Sequence, residues 1–154
     1  MKRLAFAAAL SALRAAAHEV RTEHLLIDHP HAFETAATAM SAHGYMKITN
    51  SGDRLDRLIA VRAGSLNAAL RAAANCADEP SGSVRVDGIE IAPGATVQMG
   101  PSGPGVTLLG LAGEPFEVGE RIPATLVFER AGEVEVESWV EPRVSGQAAS
   151  PGLL

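Results

Sequence analysis

Groups that bind transition metals crowd one part of this chain. It holds five histidines, four methionines and one cysteine, and His18, His24, His29 and His31 fall close together, with Met40, His43 and Met46 following. Thioether sulfur selects soft Cu(I), whereas imidazole suits zinc and copper. In an extended strand a two-residue step returns to the same face, so the HPH stretch sets His29 and His31 side by side. Cleavage after Ala17 makes His18 the new N-terminus, whose amino group and imidazole form one chelate. His29 or His31 then adds a third nitrogen. Such a nitrogen-rich set suits Cu(II) or Zn(II) better than Cu(I). The competing reading of His29 and His31 is as ordinary strand residues held by hydrogen bonds. Cys76 is the single soft thiol, and no Lys or His within four residues lowers its pKa, Arg71 being the nearest cation in sequence. Met99 reads as core or strand-face packing.

The catalytic motifs are missing. There is no glycine-rich phosphate loop, no HExxH and no GxSxG, so an enzyme is not expected. A net charge of −5 with no Lys/Arg cluster excludes a nucleic-acid partner, which needs a basic face. One cysteine permits no internal disulfide.

With 154 residues, 47% of them apolar, the chain is expected to form one domain with a real core. Residues 1–17 read as an export signal: Lys2 and Arg3, an apolar run from Leu4 to Leu13, then Ala15-Ala16-Ala17 as the cleavage pattern. An amphipathic N-terminal helix is the alternative. Apart from that leader no apolar run is long enough to span a bilayer, so the mature chain is expected to have no membrane span. Residues 18–142 form the expected domain. From Arg143 to Leu154 the composition turns to Ser, Gly, Ala and Pro, the signature of a disordered tail.

The elements that must position the histidines read as strands. Short apolar or alternating runs separated by Gly, Pro, Asn and Asp predict an all-β antiparallel sandwich or barrel. The runs are Leu25–Ile27, Tyr45–Thr49, Arg57–Val61, Ser83–Val86, Ile89–Ile91, Thr96–Met99, Val106–Leu111, Ala124–Glu129 and Glu133–Val140. In the last, Glu133, Glu135 and Glu137 face water while Val134, Val136 and Val140 enter the core. Asn50 to Asp53, Asp87-Gly88, Pro93-Gly94 and Ala131-Gly132 supply turn residues. Two alanine-rich segments, Ala32–Ala42 and Ser65–Ala77, have helical propensity and stand as candidate short helices.

The blocks HPHAFETAATAMSAHGYMKITNSGDRLDRLIAV, VDGIEIAPGATVQM and GLAGEPFEVGERIPATLVFERAGEVEVE resemble the periplasmic copper chaperones known as PCuAC, over roughly Val20 to Val140. The resemblance implies a single cupredoxin-like antiparallel β-sandwich with Greek-key connections, exported to the periplasm. It also implies Cu(I) as cargo, passed toward the copper site of a cytochrome oxidase, and a periplasmic protein that receives or donates the copper. The family holds its metal with a His-Met pair, a Met and a His-x-Met. Carried over without gaps, the pair falls on Arg71 and Ala72, the Met on Ser83, and the closing His-x-Met on Gly105 and Thr107. The spacing survives and the ligands do not: Arg stays protonated, Ala and Gly offer no side-chain donor, and hydroxyls are poor partners for a soft ion. A copper-binding protein with substituted ligands, His18, His29 and His31, is therefore expected. The alternatives are an interaction or scaffold protein that kept the sandwich and lost the metal, and, third, an enzyme accessory domain.

Overall fold

A computed structural model of the chain describes residues 19–73, 83–100 and 103–144. Every regular element among them is a strand. In chain order these are β1 (Glu19–Arg21), β2 (Leu25–Phe33), β3 (Ser41–Asn50), β4 (Asp56–Arg62), β5 (Asn67–Ala73), β6 (Ser83–Arg85), β7 (Ile89–Ile91), β8 (Thr96–Gln98), β9 (Gly105–Leu109), β10 (Arg121–Phe128) and β11 (Gly132–Glu141). Among the described residues the two alanine-rich segments are not helices, residues 74–77 of the second lying outside them. Ala32 and Phe33 end β2, Ser41 and Ala42 begin β3, and Asn67 to Ala73 form β5. β5 lies between β6 and β9, so ladder bonds on both sides override an alanine propensity that is worth only tenths of a kilocalorie per residue.

The strands pair in the order β6-β5-β9-β3-β2-β11-β10-β4-β7, with β1 on β2 and β8 on β3. This continuous sheet curls into a sandwich. Met46 and Ile48 from β3, Leu25 and Ile27 from β2, Leu58 from β4, Leu126 and Phe128 from β10 and Val134, Val136 and Val140 from β11 join one buried cluster. The all-β expectation holds, with one departure: β2 and β11 run parallel, through the pairs His31↔Trp139, Ala32↔Val140 and Phe33↔Glu141. All other strand pairs are antiparallel.

β11 alternates as its sequence predicts, with Glu133, Glu135 and Glu137 exposed and Val134, Val136 and Val140 buried. β2 does not keep its phase. Leu25 and Ile27 are buried, and unbroken alternation would carry His29, His31 and Phe33 into the core after them. A bulge intervenes. Asp28 pairs with Lys47 and His31 with Tyr45, three residues on β2 against two on β3, and His29 takes φ 49°. The extra residue puts Pro30 and Ala32 inside and turns His29, His31 and Phe33 outward. Proline suits a bulge, having no N–H to leave out of the ladder.

The NSGD turn is fastened by Asn50, only 1% exposed. Its Nδ2 donates to the carbonyls of Arg54 (2.8 Å) and Ile91 (3.0 Å), and its Oδ1 accepts from the Gly52 N–H (2.9 Å). One side chain thus ties the end of β3, the following turn and β7.

Candidate metal centre

The bulge in β2 and the end of β11 build a cluster on the outer face of the sheet. His29 Nε2 lies 3.0 Å from Glu141 Oε1, and the His29 and His31 rings are 4.5 Å apart between centroids. One ligand atom from each of His29, His31 and Glu141 can be chosen so that all lie within 4.8 Å of one another. His29 and His31 are thus neighbours, and the bulge rather than simple alternation aims them outward.

The His31 ring is fixed in orientation and in tautomer. Its Nδ1 lies 2.9 Å from the His29 carbonyl oxygen, which can only accept, so in the neutral ring Nδ1 carries the hydrogen and Nε2 the lone pair. This is the arrangement by which a backbone carbonyl prepares an imidazole for a metal. Tyr45, opposite in the ladder, stacks on the ring at 5.3 Å with 25° between planes, and Phe33 meets it edge-on at 5.4 Å. On the other side of β2, Trp139 is the ladder partner of His31 and carries the Arg121 guanidinium 4.1 Å from its ring centroid.

Glu141 was invisible as a partner because it lies far along the chain. A signal existed: counting by twos from Glu133 along β11 reaches Glu141 on the same outward face. The remaining singled-out residues go elsewhere. His24 sits beside the Asn50 turn, where its carbonyl accepts from Ser51 N–H (2.8 Å), and Met46 and Met99 are core residues. Met40 is exposed. His18 and Cys76 lie outside the described residues.

The positions picked out by the family spacing do meet in the ladder. Arg71 pairs with Gly105 across β5 and β9, Ala69 pairs with Thr107, and Ala72 and Ala73 pair with Val84 and Ser83 across β5 and β6. The Arg71 guanidinium lies over the Gly105 backbone, 3.6 Å from where a Cβ would stand. Its Nη2 donates to His43 Nδ1 at 3.0 Å, and the Thr107 hydroxyl donates to the same nitrogen at 3.4 Å. His43 is therefore the Nε2–H tautomer, its Nδ1 occupied. Burial first, then the charges of Arg71 and Arg143, hold the His43 pKa below the ordinary imidazole value. Burial also pulls the Arg71 guanidinium below its usual value and pushes the Tyr45 phenol up. Arginine remains charged regardless. Among the described residues, this corner at neutral pH sets a fixed cation against a neutral imidazole.

Comparison with known proteins agrees with the architecture. The family described as "Putative lipoprotein LpqE-like" matches residues 25–140. The copper-bound PCuAC domain from PmoF2 is 33% identical, with a TM-score of 0.70, over 82% of this chain and 99% of that one. The apo PCuAC domain from PmoF1 is 29% identical, with a TM-score of 0.71, over 82% and 100%. The Cu(I) form of DR1885 from Deinococcus radiodurans, 21% identical with a TM-score of 0.61 over 88% and 89%, shares the fold. No curated protein matches the chain. Among the described residues, no helix is long and apolar enough to cross a membrane. By its matched span and its likeness to these domains, the chain belongs to the LpqE-like family of PCuAC-type proteins.

Proposed function

We propose that this protein is an exported copper-binding protein of the chaperone type, a carrier rather than a catalyst, which holds its metal with histidines at the start of the domain. The observation that carries this reading is the convergence of His29 and His31 on the outer face, with the His31 Nε2 lone pair prepared by the Nδ1 bond to the His29 carbonyl. The family's ligand positions, in contrast, hold Arg71 bonded to His43 across Gly105 and Thr107. His18 joins the set after removal of residues 1–17. In support, Glu19, the next residue, pairs with Asp28, the neighbour of His29. Copper is cargo here, received from or delivered to a second periplasmic protein, with a cytochrome oxidase copper site as the family's destination.

The test is metal retention. Chain purified from the exported fraction, with its N-terminus sequenced, is loaded separately with Cu(I) and Cu(II), desalted, and assayed for metal per chain. One copper retained, and lost in His29→Ala/His31→Ala, is the expected result. Retention unchanged in that variant refutes the ligand assignment. A second reading, a sandwich that binds the family's partners without metal, is favoured by the Arg71 cation seated over Gly105. It is the outcome if neither oxidation state is retained.

A further inference from the structure

We propose that Glu141 is the third ligand of this centre and that the centre is built for a divalent first-row ion, Cu(II) or Zn(II), bound across the junction of β2 and β11. The inference rests on the histidine reading above and adds a residue and an ion class to it. Two imidazole nitrogens and a carboxylate make an N2O set, intermediate in hardness and carrying one negative charge. That set favours a divalent ion over Cu(I), which prefers sulfur and low coordination.

The geometry needs little adjustment. Ligands at about 2.1 Å from a tetrahedral zinc stand roughly 3.4 Å apart. The Nε2 to Oε1 distance between His29 and Glu141 is already 3.0 Å, and the ligand atoms of the trio lie within 4.8 Å of one another. His29, 48% exposed at its side chain, and Glu141, 34% exposed, can close that gap by rotation about their own side-chain bonds while His31 stays clamped by its carbonyl bond and by Tyr45. A cation bound there would take the place of the contact between His29 Nε2 and the Glu141 carboxylate. β2 and β11 meet through only three ladder pairs, so an ion held by His31 on one strand and Glu141 on the other is a cross-link between the two halves of the sandwich.

The test compares three metal-free full-length chains: parent, Glu141→Gln and His29→Ala/His31→Ala. Each is titrated with Zn(II) and Cu(II) salts by calorimetry, and with Cu(I) against a chromogenic Cu(I) chelator. Trp139, the only tryptophan and the ladder partner of His31, gives a second readout, since paramagnetic Cu(II) quenches indole emission and Zn(II) does not. Glu141→Gln is expected to weaken Zn(II) and Cu(II) about tenfold or more, since loss of even an outer partner typically costs that much. It should leave Cu(I) unchanged and reduce the rise in melting temperature that Zn(II) gives the parent. If Glu141→Gln binds both divalent ions like the parent while the double histidine variant binds neither, the glutamate assignment falls and the histidine reading stands. If both variants bind like the parent, or the parent binds neither divalent ion, the proposal is overturned, the former outcome taking the histidine assignment with it.

Discussion

Asn50 offers a sharp test of what holds the turn beside β3. Asn50→Ala removes three hydrogen bonds and leaves the Ile91 carbonyl without its side-chain donor in a buried site. A stranded buried acceptor costs about 1–3 kcal/mol, and the Arg54 and Gly52 groups, nearer solvent, lose roughly 1 kcal/mol each. The sum is about 3–5 kcal/mol, which lowers the melting temperature by about 10 °C or more in a domain of this size. Asn50→Asp is the more discriminating change. It preserves shape and replaces the amide donor by an oxygen facing two carbonyls, so at pH 7 it should destabilise at least as much as alanine. Its folded-state pKa is raised above the unfolded value near 3.9, because only the protonated acid can donate to a carbonyl. A raised carboxyl pKa means that the folded chain binds more protons, so this variant regains stability as pH falls from 7 toward 4. Urea unfolding followed by circular dichroism at pH 7 and pH 4.5 reads both effects. An alanine variant within about 0.5 kcal/mol of the parent, the range of an ordinary surface change, would refute the reasoning.

Three further outcomes follow from the packing. His43 ionises at lower pH in the folded chain than in the unfolded one, so the unfolded chain takes up its proton first as pH drops below about 6.5 and stability falls. In His43→Gln, urea unfolding should show a smaller loss between pH 7 and pH 5 than in the parent, and an equal loss refutes the assignment. Gly88→Ala would set a Cβ 2.5 Å from Arg57 Nε, so overpacking of about 1–3 kcal/mol is expected, and a double-mutant cycle with Arg57→Ala should recover part of it. Leu126→Ala, at a fully buried β10 position, should cost about 2–5 kcal/mol by chemical denaturation, because the surrounding strands cannot collapse into the space.

Much of the architecture could be read from alternation and turn chemistry. IEI marks β7, and the alternation over Glu133–Val140 gives both faces of β11. β5 was harder, since small residues pack a central strand as well as they form a helix, and only the neighbouring ladders decide between them. β1 is three residues long and carries a single apolar side chain, Val20, too little for a run to register. The parallel meeting of β2 with β11 is a long-range outcome, which no local pattern encodes. The same limit explains the site: HPH announced two imidazoles, but the carboxylate completing the trio comes from the far end of the domain. The family spacing proved informative even without its ligands, bringing Arg71 beside Gly105 as the ladder requires.

The single surplus residue between Asp28 and His31 makes the imidazoles' orientation a matter of chain length rather than of composition. Excision of Pro30 would restore a plain two-residue rhythm and draw His29 toward the oily interior in the proline's stead, while His31 and Phe33 kept their outward places. A lineage could thus silence or acquire this centre through one inserted or deleted codon, with every metal-binding letter still present in its gene.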